Sequence, residues 1–344
     1  HVAYAKKNYS QAQRLLHPSQ WHFVCPAEVP EGERCGLVMN FCLGVRTSVG
    51  YMTLHQALRS CFLTLEMAPG CKVTSTLEEA MQLCSKREDA ASFLYINHVM
   101  VGKLNPSILS DILKALKQAR IMGMFHYEVS IYGKDRDIHL ETNKGRLLRP
   151  VINASFIKNH IFDRIFHECV TSHLPLWKTM EQKHVIEFVS CHEIEDDIDH
   201  MIIATNFDSY YTKPGMYTHV EIDDLFMYSN MAANSTLQGH NACVRTSYAC
   251  KHRSQAASGQ PLYADTAPEN TKLSLDYCQS PLVESVTNRM THHTMQIHLS
   301  TECIFGLISD ETTCEDGVIV SKSFLERGGM RVTKTQDFHA QQKA

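Results

Sequence analysis

Two adjacent carboxylates, Glu315 and Asp316, stand just before the apolar run Val318-Ile319-Val320. Such a pair offers hard oxygen donors, which suit a divalent cation such as Mg2+ held between protein and phosphate. The same two residues also read as an acidic loop ending a strand. A second candidate is basic. No Asp or Glu occurs between Asp224 and Asp265, whereas Arg245, Lys251 and Arg253 all fall inside that interval. A carboxylate-free stretch carrying cations can approach phosphate oxygens without cancelling its own field, and Arg brings a planar, permanently charged fork. Three cations over that length equally describe an ordinary polar surface. The third candidate, His192 to His200 (HEIEDDIDH), holds two histidines and five carboxylates. These are ligand types for several divalent ions, but the favoured reading is a solvated acidic turn between strands.

Positioning these groups requires regular elements, and the sequence marks many. Gln20 to Phe41 combines Pro26 and Pro30 with Gly32 and Gly36, residues that prescribe backbone geometry, ahead of an apolar run from Leu37. Thr53 to Ala68 reads as a helix stopped by Pro69-Gly70, and a second helix starts at Ser75 with Glu78 completing a capping box. Phe93 to Val101 predicts a hairpin turning at Asn97-His98. Asn105-Pro106 opens an amphipathic helix with Ile108, Ile112, Leu116 and Ala119 on one face. Strands follow at Tyr127 to Tyr132 and Asp137 to Glu141, then the turn Thr142 to Gly145, helical text from Asn153 to Met180, and a strand at Val185 to Val189. Ile304 to Asp310 reads as a buried strand.

The bounds agree with a globular, multi-module chain. Its 344 residues exceed one ordinary domain. With 44% hydrophobic and 20% charged residues, and no run long enough to cross a bilayer as a helix, it reads as a chain without a membrane partner. A net charge of −4 excludes a uniformly basic coat, so any contact with nucleic acid is a local patch or channel. Thirteen cysteines without a single CxxC spacing read as reduced, mostly buried thiols, and no zinc site is identifiable from ligand spacing. Beginning at His1 and ending in TQDFHAQQKA, the chain reads as an excerpt of a longer protein.

Several stretches resemble one family. The words CPAEVPEG and CGLV, after His17-Pro18 and Trp21, resemble the fork region of the second-largest, β-type subunit of multi-subunit DNA-directed RNA polymerases. The succession of hairpin, helix, EVSI strand and GRLLRP is similar in order and spacing to an external module of that subunit. Tyr217 to Asp223 resembles the entry to its hybrid-binding domain, and Leu275 to Val283 and EDGVIVSKSFLERG resemble later parts of it. The resemblance implies an α+β fold in four parts: a fork-like segment at 1–50, external modules at 51–152 and 153–212, and the start of a β-rich hybrid-binding domain at 213–344.

It also implies roles. His240, Asn241, Arg245, Gln255 and Ala256 match the family's pattern, in which the Arg lies near the triphosphate of the incoming nucleotide and the Gln faces the RNA end of the hybrid. Lys251 and Arg253 then line the nucleic acid. Glu315 and Asp316 match an acidic pair near the second magnesium, with Asp316 reaching Mg2+ through water. Ser254 replaces a basic residue usual before the Gln, Cys243 a Ser-Pro element, and Gly317 a Ser. The implied function is template-directed RNA synthesis from NTPs by two-metal nucleotidyl transfer, active only with the largest subunit. That subunit supplies the aspartate cluster, since no DFDGD-type run occurs here. Implied partners are the largest subunit, other polymerase subunits, the DNA template and RNA–DNA hybrid, and NTPs. The implied location is intracellular, in the nucleus or a viral factory, because drift between the matching islands points to a virus-encoded or otherwise fast-evolving polymerase. One rival is a polymerase-derived nucleic-acid-binding scaffold without catalysis, which loss of Arg245 and the acidic pair would mark. Another is a metal-dependent hydrolase built on His192 to His200.

Overall fold

The computed structural model describes residues 11–65, 72–73, 92–172, 176–213, 215–256, 271–287, 300–309, 311 and 317–336. Its contacts divide the chain into two compact units, His1–Pro26 with Arg34–Ser229, and Ala27–Glu33 with Asn230–Ala344.

The first unit begins with the Pro/Gly stretch. His17 caps a short turn at Pro18–Gln20, and Val24 then forms an antiparallel bridge with Phe41. Gly36 sits at φ +72°, where a Cβ would run into the backbone of Arg14, so both its conformation and its space require glycine. Strand β1 (Arg46–Thr47) leads to helix α1 (Leu54–Leu65), whose Thr53 and Gln56 cap each other reciprocally. The stop expected at Pro69-Gly70 and the helix expected from Ser75 lie outside the described residues.

Strand β2 (Lys72–Val73) precedes the hairpin of β3 (Ser92–Ile96) and β4 (Val99–Leu104). Asn97 and His98 both take positive φ, 48° and 67°, which is the two-residue turn matching strand twist. Asn105 then caps a turn into helix α2 (Leu109–Ile121), burying Ile112, Leu116 and Ala119 as the periodicity predicts. Strands β5 (Ser130–Lys134) and β6 (Asp137–Glu141) complete a sheet in the order β2-β4-β3-β6-β5, all antiparallel except β3 with β6. Strand β5 starts at Ser130 rather than Tyr127. Residues 127 and 128 lie instead in a turn closed by the Val129 amide donating to the His126 carbonyl at 3.0 Å, and the buried Glu128 carboxylate accepts the amides of Val49 and Gly50. Helices α1 and α2 pack on this sheet through Leu58, Leu113, Leu116, Ile131 and Ile138, each fully buried side chain contributing about 1.5–3 kcal/mol.

A second sheet follows. Strand β7 (Leu147–Asn153) runs into helices α3 (Ala154–Lys158), α4 (Ile161–Ser172) and α5 (Leu176–Gln182), in keeping with the helical text there. Then come β8 (Ile186–Val189), α6 (Cys191–Ile194), β9 (Ile203–Ala204), α7 (Phe207–Thr212) and β10 (His219–Val220). Strand β7 pairs antiparallel with β1, β8 and β10, and β10 pairs parallel with β9. Leu148, Ile152, Ile165, Met180 and Phe188 form its core.

The second unit carries α8 (Asn230–Ala233), α9 (Cys243–Gln255), β11 (Thr271–Leu275), α10 (Lys322–Glu326) and β12 (Val332–Gln336). Strands β11 and β12 form an antiparallel ribbon. The buried strand expected at Ile304 to Asp310 is not there. Residues 301–309 have no regular structure, and Ile304, Phe305, Leu307 and Ile308 are exposed; Val318 to Val320 are likewise irregular and largely exposed. An apolar run becomes a strand only when a neighbouring strand satisfies its amides and carbonyls, and no described strand pairs with either run. With helices and sheets in both units, the sheets of the first mixed and that of the second an antiparallel ribbon, the fold is α+β.

Among the described residues the cysteines are all free thiols; Cys25, Cys42, Cys61, Cys169 and Cys250 are buried. Burial pushes the Cys42 thiol up to about 12, so it stays protonated.

Candidate nucleic-acid and nucleotide face

Helix α9 gathers four sequence-predicted residues. One turn advances about 100° per residue, which puts Arg245, Tyr248, His252 and Gln255 on one side of the helix, and all four are exposed. Thr246, Ser247 and Cys250 occupy the opposite, buried side. Small or neutral residues face inward, while Arg245 and Lys251 face out. Its N-cap, Ala242, makes no side-chain capping bond. A cation in the first turn works against the helix dipole, so helix stability does not account for an arginine at 245.

Arg245 lies over the ring of Tyr248, 5.8 Å from its centre, and has no carboxylate partner among the described residues. The Tyr248 hydroxyl donates to the Glu31 carboxylate at 2.8 Å, and that bond raises the phenol above its ordinary range. Glu31 and Tyr248 were not singled out by sequence reasoning. The available signal was Tyr248 lying three residues beyond Arg245, a helical neighbour.

The remaining basic residues differ from one another. Lys251 is exposed on the edge of the same face. Arg253 is half-buried: its Nη1 donates to the Asn234 carbonyl at 3.3 Å, and desolvation lowers its pKa. It anchors the helix more than it offers a free charge. Gln255 ends α9, about 15 Å along the axis from Arg245 at 1.5 Å per residue, so the two address different parts of any ligand.

Glu315 and Asp316 lie outside the described residues. Residues 317–320 have no regular structure and are exposed, and the short helix α10 follows. The Tyr277 to Val283 segment is fixed locally. Asp276 pairs with Arg331 at 3.1 Å, Gly328 leaves room for the Tyr277 ring, and the Gln279 side chain accepts the amide of Glu302 at 2.7 Å.

The acidic run His192 to His200 departs from the solvated turn expected. Glu193 and Asp196 are completely buried. Glu193 pairs with Arg120 and caps α6 by accepting the Ser190 amide, while Asp196 and Asp199 each accept from Lys117 at 3.0 Å. Arg120 also reaches Glu187 at 3.2 Å. Burial pulls Arg120 down and its two carboxylates more than offset this, so its pKa is raised. Burial likewise pushes Glu187 up, but His219, Arg120 and Asn153 together bring it to about 2. These carboxylates are consumed by internal cations, which the sequence order alone hides because the partners lie some 70 residues upstream, as in Arg120 with Glu193 (|i−j| = 73). Among the described residues no group of three or more His, Cys, Asp or Glu is arranged to hold a metal, and no helix is long and apolar enough to cross a membrane.

Comparison with known proteins adds to this geometry. The family model for RNA polymerase Rpb2, domain 3, matches residues 2–46. Over 96% of the chain, the sequence is 25% identical to the "Probable DNA-directed RNA polymerase II subunit RPB2 homolog" of Invertebrate iridescent virus 6, covering 26% of that protein. It is 28% identical to DNA-directed RNA polymerase II subunit RPB2 of Encephalitozoon cuniculi over 95% of the chain and 28% of the relative. For DNA-directed RNA polymerase II subunit 2 of Arabidopsis thaliana the figures are 27% identity, 96% and 27%. The chain thus spans about a quarter of the length of the curated relatives it matches. Along nearly its whole length the chain is thus similar to second-largest subunits of cellular DNA-directed RNA polymerases and to a viral homologue of them.

Proposed function

We propose that this chain supplies nucleotide-phosphate contacts and one wall of the hybrid channel to a DNA-directed RNA polymerase, working with a largest subunit in template-directed RNA synthesis from NTPs. The observation that carries this reading is Arg245: a solvent-facing guanidinium in the first turn of α9, without a carboxylate partner among the described residues, on the same helix face as Gln255. Arg245 contacts the triphosphate of the incoming nucleotide, Gln255 faces the RNA end of the hybrid, and Lys251 adds charge beside the backbone.

Glu315 and Asp316 have the donor chemistry for Mg2+, with Asp316 acting through water. When bound, the metals of nucleotidyl transfer stabilise charge on the attacking and leaving oxygens. The main metal ligands come from the largest subunit, so the chain is silent by itself. Its partners are then the largest and other polymerase subunits, the DNA template, the RNA–DNA hybrid and NTPs, and its place is wherever that polymerase transcribes, the nucleus or a viral factory.

The test is an assembled polymerase carrying Arg245→Ala. The reading expects the KM for all four NTPs to rise about tenfold or more, corresponding to loss of about 1.4 kcal/mol of binding or greater. Unchanged kinetics with all four would overturn the assignment.

A further inference from the structure

Three side chains of the second unit touch in series at the start of α9. Arg245 stands over the ring of Tyr248, its helical neighbour, 5.8 Å from the ring centre. The Tyr248 hydroxyl donates to the Glu31 carboxylate at 2.8 Å, a contact across 217 positions of sequence. Glu31 comes from the Pro/Gly stretch. Buried Pro30 fixes the backbone just before it, and Gly32, at φ +70°, takes the left-handed conformation just after it. All three side chains are exposed, and exposed contacts of this kind add little to folding.

The order of the three matters to charge. A carboxylate bonded directly to Arg245 would orient the guanidinium, but it would also neutralise it and compete with phosphate for its N–H donors. With the tyrosine ring in between, the guanidinium is drawn to the electron-rich ring face and keeps no carboxylate partner among the described residues. The bond to Glu31 fixes the ring. A carboxylate accepting the phenolic hydrogen also polarises the ring, which strengthens its attraction for a cation.

We propose that Glu31 and Tyr248 are positioning residues of the nucleotide site, holding the Arg245 guanidinium in place for the triphosphate without neutralising it. This rests on the reading of Arg245 as a phosphate contact, and it makes the Pro/Gly stretch part of that site. The test is NTP kinetics of the assembled polymerase with variants at the three positions, single and combined. Tyr248→Ala is expected to raise the KM for all four NTPs about two- to fivefold, the range for an exposed cation–π contact, with kcat and melting temperature unchanged. In an Arg245→Ala background it raises KM no further. Tyr248→Phe and Glu31→Ala remove the same hydrogen bond, so each gives a smaller rise and the two together give no more than either alone. Glu31→Gln, whose side-chain carbonyl still accepts the phenolic hydrogen, keeps the parent value. If Arg245→Ala raises KM and Tyr248→Ala does not, the positioning role is overturned and the nucleotide reading stands. The same holds if Tyr248→Ala acts equally with and without Arg245. If Arg245→Ala changes nothing, both fall.

Discussion

Arg120 and Arg245 are the same side chain in opposite surroundings. In the first unit Arg120 is buried on α2 with its guanidinium taken up by Glu187, Glu193 and the Val129 carbonyl. In the second unit Arg245 stands in solvent over a tyrosine ring. Desolvating a charge is tolerated only when every donor finds an acceptor, so Arg120 is bound to its position by energy and serves the fold. Arg245 has paid no such cost and stays available to an anion. The difference also separates the two acidic and basic runs seen in the sequence. The richly ligand-like His192 to His200 is scaffold, and the sparsely charged α9 is the better candidate for chemistry.

The comparison is broken most directly at Arg120. Arg120→Ala leaves Glu193 and Glu187 buried without their cation and is expected to cost about 3–5 kcal/mol, read as a shift in the urea midpoint. A loss under about 1 kcal/mol would mean that the buried network does not hold the unit together.

Acid sharpens it next. Glu187 sits at about 2 in the folded chain against an ordinary 4.5, so between those values the unfolded chain binds more protons. Its stabilisation is complete above about pH 4.5 and drains away as the pH falls toward 2. Unfolding free energy followed from pH 6 downwards is expected to drop through that window, and Glu187→Gln flattens the drop. An equally steep fall in that variant would assign the acid sensitivity elsewhere.

Arg253→Ala stands between the extremes. Its half-buried guanidinium donates to the Asn234 carbonyl, a bond to a charged donor being worth about 1.5–3 kcal/mol at most. A loss of about 1 kcal/mol in thermal melting is expected, with little change in the salt dependence of nucleic-acid binding. If instead stability is untouched and the salt slope falls by about one, Arg253 belongs with the exposed face.

The smallest expected effect is on stability in Arg245→Ala, within about 0.5 kcal/mol of the parent. Any larger loss would show the arginine to be structural, and would weaken its reading as a nucleotide contact.

The sequence by itself determined the local elements and the resemblance to polymerase second-largest subunits. The Asn97-His98 turn, the Asn105 cap with its buried Ile112-Leu116-Ala119 stripe, the strand at Asp137 to Glu141 and the glycine at 36 are consequences of dihedral limits and short-range periodicity, which residues a few positions apart already encode. The placement of Arg245, Lys251 and Gln255 on one outward surface followed from their spacing once a helix was granted. Tertiary structure alone decided the fate of charge and of bare apolar runs. Glu193 and Asp196 are internal because α2 carries Arg120 and Lys117 to them. Arg253 is half-buried because α8 ends beside it, with Asn234 next in the chain. Ile304 to Ile308 remains exposed because no described strand pairs with it. Pairing and desolvation are properties of what lies across space, and a spacing along the chain does not contain them.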